Sequence, residues 1–143
     1  MKDTRVRSAP YYYARVEGDP DSAYDWLAEL ASAEVDLLAF SAVPYGPDHV
    51  ELTLFPVDRR ALERSSATHG LNLAGPFYAL LIQGDDRLGA LKEVHEELRE
   101  SGVGVYASTG VTDGMGRFGY IVYVREQDFD AAARVLNAEP VRP

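Results

Sequence analysis

Gly84-Asp85-Asp86-Arg87-Leu88-Gly89-Ala90-Leu91 follows the strand-like run Phe77 to Ile82 and opens a helical stretch with Leu91, Val94 and Leu98 on one side. Ser101-Gly102 stops that helix, because glycine takes the left-handed conformation in which helices commonly end. Beyond it, Val103 to Val111 and Tyr120 to Val124 read as strands, with Asp113-Gly114-Met115-Gly116 as the hairpin between them. A closing helix turns Phe129, Ala132, Ala133 and Leu136 inward, so the order is β-α-β-β-α.

The same order is written once before. Tyr11 to Val16 reads as a strand, and Gly18-Asp19-Pro20 turns the chain into a helix with Ala23, Trp26, Leu27, Leu30 and Ala31 on one face. Strand-like runs Leu37 to Val43 and Val50 to Phe55 flank the turn Tyr45-Gly46-Pro47-Asp48, and a second helical segment covers about Asp58 to His69. Matching Gly18 to Gly84 gives an offset of 66, and matching Leu54 to Val122 gives 68, which makes the first copy two residues shorter near its first loop. The expected architecture is α+β: two ferredoxin-like βαββαβ modules in tandem, each an antiparallel sheet with its helices on one face. The modules are placed at residues 10–75 and 76–138, between tails at 1–9 and 139–143. The fourth strand is the weak element. Only Leu71-Asn72-Leu73-Ala74 is available to the first copy and the proline-bearing Glu139 to Pro143 to the second, so either strand is short, missing or swapped.

Composition narrows the function. The chain has 143 residues, 46% of them hydrophobic, and each half alone is small enough to be marginally stable. A formal net charge of −9 disfavours nucleic acid, whose binding rests on clustered Lys and Arg against phosphate. With no apolar run of about 20 residues and no leader-like segment after Lys2, Arg5 and Arg7, the expectation is a cytoplasmic protein without a membrane span. The absence of cysteine excludes disulfides, thiol nucleophiles and thiolate metal sites.

The loop carries the functional reading. Backbone N–H groups near Leu88, Gly89 and Ala90 belong to a helix start, where unpaired donors suit a carboxylate, while Asp85 or Asp86 can accept from an ammonium group. An amino acid offers both partners. The alternative is that Asp86 caps the helix and Gly89 and Ala90 allow close packing on the sheet.

Asp86-Arg87-Leu88-Gly89-Ala90-Leu91, with Leu88 where proline is usual, and Leu98-Arg99-Glu100-Ser101-Gly102-Val103 after it, resemble the ACT domain family over about residues 10 to 138 as a tandem pair. The resemblance implies a regulatory module that binds an amino acid or another small molecule where two modules meet. On this chain it implies a site made of Asp85, Asp86, Arg87, Leu88, Gly89 and Ala90, with Ser108 and Thr109 from a neighbouring second strand. The first copy departs from the pattern: Gly18-Asp19-Pro20-Asp21-Ser22-Ala23 has no glycine matching Gly89, and bulky Tyr24 and Trp26 follow.

Sharper motifs fall away. Gly114-Met115-Gly116-Arg117-Phe118-Gly119 has G-x-G-x-x-G spacing but precedes a strand, where a dinucleotide fingerprint must open a helix. His49, His69 and His95 form no i, i+4 pair, so neither a metal nor a cofactor is expected, and His95 is placed at the border of its helix's buried face. No convergent cluster of titratable groups supports catalysis. Tyr11 and Tyr13 share one face of the first strand and Tyr12 takes the other, so one set must point away from the helices and seek cover, a homodimer interface being the first candidate. The reading is a non-enzymatic small-molecule sensor, its expected ligand an amino acid, acting on a regulated protein partner or through homodimer assembly. The alternative is a protein–protein interaction module with no small-molecule ligand.

Overall fold

The computed structural model describes residues 4–85 and 89–141. The fold is α+β, and the chain divides into two compact units. The first is Pro10–Phe77. The second joins the residues up to Ala9 to those from Tyr78 onward.

The first unit takes the Pro10–Glu17 part of strand β1 (Thr4–Glu17), then helix α1 (Ala23–Ser32), strands β2 (Leu37–Pro44) and β3 (His49–Pro56), helix α2 (Arg59–His69) and the opening of β4 (Ala74–Asp85). Its strands lie in the order β2-β3-β1-β4, the order of a βαββαβ sheet. Alternation along β1 decides the packing. Tyr12 and Ala14 are buried with Leu30, Leu54 and Leu62, and the Tyr12 hydroxyl donates to Glu63 Oε1 on α2 at 2.9 Å. Tyr11 and Tyr13 take the other face, where Tyr11 stacks on Phe55 at 5.1 Å and Tyr13 on Phe77 at 5.2 Å between ring centroids. The fourth strand is not Leu71 to Leu73. Those residues complete the end of α2, where Gly70 turns left-handed and the Leu71 N–H donates to the Ser66 carbonyl at 2.9 Å. Its place beside β1 falls to the start of β4, where Gly75 approaches so closely that a Cβ there would lie 2.9 Å from the Tyr11 carbonyl oxygen.

The second unit continues β4 into helix α3 (Ala90–Glu100), strands β5 (Val105–Thr112) and β6 (Arg117–Val124) and helix α4 (Phe129–Val135), with strand order β1-β4-β6-β5. Thr4 to Ala9, expected as a tail, are the first half of β1, with Val6 and Ala9 buried. The physical reason lies at the other terminus. Pro140 has no N–H to donate, and among the described residues the proline-bearing end pairs through Glu139, in a parallel bridge to Arg7. The Glu139 N–H donates to the Val6 carbonyl at 2.8 Å and the Ser8 N–H to the Glu139 carbonyl at 2.9 Å. The core of this unit sets Leu80, Ile82, Tyr120 and Val122 from the sheet against Val94, Leu98, Ala132 and Leu136 from the helices.

Strand registers give the internal correspondence directly. Val16 pairs with Val50 as Gly84 pairs with Phe118, and Ala42 pairs with Leu52 as Gly110 pairs with Tyr120, a constant offset of 68. Even the register shift repeats, between Leu37 and Ala39 in β2 and between Val105 and Ala107 in β5. Gly84 therefore corresponds to Val16 rather than Gly18, because it is still in the strand. The helices start at Ala23 and Ala90, an offset of 67, so it is the second copy whose first turn is shorter, by one residue.

Candidate functional site

The junction of β4 and α3 brings together part of the expected site. Asp85 ends β4 opposite Arg117 on β6, and the Arg117 guanidinium donates to its Oδ1 at 2.8 Å. Both side chains are more than half exposed, so the pair contributes at most about 1 kcal/mol and Asp85 keeps acceptor capacity toward solvent. Asp86, Arg87 and Leu88 lie outside the described residues. Gly89 is the N-cap of α3 in the left-handed region, with φ +82°, and a Cβ there would meet nothing within 4 Å among the described residues. With its cap at Gly89, the helix begins at Ala90, so the donors of its first turn are the N–H groups of Ala90, Leu91 and Lys92. They fall later than the Leu88 to Ala90 set expected, because a left-handed residue cannot be part of the helix it precedes.

Ser108 and Thr109 lie on β5, which ends the strand order of its unit and is exposed from Tyr106 to Thr112. Their side chains take opposite faces. Ser108 pairs with buried Val122 and so shares the α3 side of the sheet, while Thr109, opposite Ile121, is on the helix-free side. Only Ser108 stands on the face to which the α3 start belongs.

Three further residues join that face, and sequence pattern alone did not assign them to the site. Gly110 pairs with Tyr120, and a Cβ at Gly110 would lie 3.1 Å from the Tyr120 ring and 3.5 Å from Leu91 Cδ1. Tyr120 is buried in the core, and its hydroxyl meets His95 Nε2 on α3 in a short hydrogen bond. His95 is half-buried at the border of its helix face, as its position predicts. The signal that could have found the group is Gly110 itself, a glycine inside a strand, which marks a close approach. Leu91, expected inward, is 37% exposed, because the strand beside it is an edge and carries no side chain at Gly110 to cover it.

The corresponding turn of the first unit is filled by its own side chains. Asp19 caps the turn Pro20–Ser22: its Oδ1 accepts from the Ser22 N–H at 3.2 Å, and Ser22 Oγ accepts from the Asp19 N–H at 3.3 Å. Gly18 sits so tightly that a Cβ there would fall 2.3 Å from Ser22 Oγ. Trp26 then packs with Phe40 and Ala42 over Val50 and Leu52.

Among the described residues no group of three or more His, Asp and Glu could hold a metal ion, and no helix is long and apolar enough to cross a membrane. The sequence matches no family model, and no curated protein matches it. Solved structures do resemble it. Protein BT0572 from Bacteroides thetaiotaomicron is 15% identical, covering 92% of this chain and 88% of its own, with a TM-score of 0.78. The regulatory subunit of aspartate kinase from Thermus thermophilus, in a ligand free form, is 14% identical over 96% of each chain, with a TM-score of 0.61. The same subunit from Thermus flavus is also 14% identical over 96% of each chain, at 0.55. At these identities the likeness is one of fold.

Proposed function

We propose that the chain is a tandem pair of ACT-like, ferredoxin-like regulatory modules that binds an amino acid, or a small molecule with the same two charged ends, at the β4–α3 junction of the second unit. The observation that carries the reading is the glycine cap at Gly89: a Cβ there would meet nothing within 4 Å among the described residues, and the first-turn N–H groups of α3 start one residue on. Those donors hold the carboxylate and Asp85 accepts from the ammonium, with Ser108 as a polar neighbour; Asp86, Arg87 and Leu88 belong to the same proposed loop. The fold likeness to an aspartate kinase regulatory subunit supports a regulatory role. Catalysis is not part of the reading, nor is a cofactor. The uncharged edge strand β5, exposing Tyr106 and Val111, is the surface along which two chains meet in a homodimer. The output passes to a regulated protein partner in the cytoplasm.

The test is thermal unfolding of the purified chain with each common amino acid. A ligand at a hundredfold excess over Kd that binds only the native state adds ~2.7 kcal/mol. For a chain of this size that raises Tm by about 5 to 10 °C. One strong hit that vanishes in Gly89→Arg, with each protein referred to its own ligand-free Tm, supports the sensor reading. A flat panel favours the second reading, an interaction module that docks a protein along β5. The charge-free, exposed sequence of that strand is the observation in its favour.

A further inference from the structure

Tyr120 does something the fold does not need. At the corresponding place in the first unit, Leu52 faces Ala42 and is fully buried among apolar neighbours. The second unit has a tyrosine there, with a glycine opposite it on an edge strand. Glycine weakens a strand, and at Gly110 a Cβ would press on the Tyr120 ring at 3.1 Å. The hydroxyl so placed does not end in the core but on half-buried His95. Leu91 and His95, four residues apart, share one face of α3. Across from them, Ser108 and Gly110 share the same side of β5. A strip bounded by Leu91 and His95 on the helix and by Ser108 and Gly110 on the strand, with Tyr120 between them, thus runs from the α3 start along the sheet edge.

We infer that the Tyr120–His95 pair is the specificity-determining end of the proposed ligand site, selecting a ligand whose side chain ends in a hydrogen-bonding group. The inference rests on the reading above and adds what that reading leaves open, the class of ligand. The pair suits the task because its proton arrangement adapts. When Tyr120 donates to His95 Nε2, its oxygen accepts from a ligand hydroxyl or amide. When Nε2–H donates to Tyr120, the phenolic proton turns to a ligand carbonyl. An aliphatic side chain placed there displaces water from the pair and returns no hydrogen bond.

The test is calorimetric titration of the full chain with near-isosteric amino acids: threonine against valine, asparagine against leucine, glutamine against methionine. Wild type is expected to prefer the polar member of the pair that fits by about tenfold or more. Tyr120→Phe keeps the ring and its packing, and is expected to bring the ratio to within about twofold while the aliphatic member's affinity barely moves. His95→Gln, on the half-exposed side of the pair, gives the same readout should Tyr120→Phe fold poorly. Equal binding of both members by wild type overturns the inference, as does a preference that survives in either folded variant; in that case the pair only satisfies a buried hydroxyl. Binding of no member overturns the inference, and the sensor reading falls with it only where the full amino-acid panel is flat as well, which separates the two failures.

Discussion

The residues that stand just before the first helix of each unit, Ser22 and Gly89, occupy corresponding places and differ. In the first unit Asp19 and Ser22 bind each other's backbone, Ser22 fills the space over Gly18, and Trp26 lies over Phe40 and Ala42. In the second, a Cβ at Gly89 would meet nothing within 4 Å among the described residues, and Leu91 is left 37% exposed over Gly110. A repeat in which Ser22 closes over its turn while the matching Gly89 carries no side chain teaches that the fold accepts either residue at this position. The Gly89 position is therefore the place to look for function.

The largest effect that sharpens this comparison is expected in the core beneath the turns. Leu52→Ala removes a fully buried side chain and should cost about 3 kcal/mol, lowering Tm by roughly 10 °C. At the corresponding position Tyr120→Phe should cost only about 1 kcal/mol, the net value of one hydrogen bond. Chemical denaturation of both variants checks the ratio, and equal losses would break the distinction between an apolar and a polar floor. Next come the glycines. Gly18→Ala places a Cβ 2.3 Å from Ser22 Oγ at φ +121°, and should cost about 2 kcal/mol or more. Gly89→Ala, at φ +82° in open space, bears backbone strain alone, about 1 kcal/mol. Of similar size is Asp19→Ala, which removes one capping acceptor and should lower stability by about 1 kcal/mol.

The smallest effect concerns the β5–β6 hairpin. The backbone N–H groups of Met115 and then Arg117 donate to Asp113 Oδ1 and hold its carboxyl below the usual carboxylate range. A folded-state pKa below the unfolded one gives stability that is present above the unfolded value and lost as pH falls through the folded one. Wild type should therefore be slightly more stable than Asp113→Ala at neutral pH, and the gap should close in acid. Paired melts across that range measure it; a gap that widens in acid would contradict the assignment.

Much of this was legible in the sequence, and for a physical reason. Helix faces with Val94 and Leu98, the hairpin at Asp113 to Gly116, and the strand following Gly116 rest on local period and turn chemistry, which the chain states within a few residues. Tyr12 was separable from Tyr11 and Tyr13 by alternation alone. The fourth strands were not legible, since Thr4 to Ala9 pair with residues far along the chain and no local pattern encodes that. Of the candidate site, Asp85 is the last residue of β4, Gly89 is the cap of α3 and Ala90 its first residue, while Asp86, Arg87 and Leu88 lie outside the described residues. Ser108 and Thr109 could be divided between two faces only once the partner of each in β6 was known. Leu27 and Leu91 carry the helical period of core residues and are nonetheless 37% exposed, because a helix face is buried only as far as the sheet beneath it extends.

The most direct test of the central claim is an amide-resolved NMR titration of the isotope-labelled chain with the amino acid that raises its Tm most. The account predicts that the amides of Ala90, Leu91 and Lys92 move on saturation while those of Ser22, Ala23 and Tyr24 stay in place. Shifts of equal size at both helix starts, or shifts at the first alone, would contradict it.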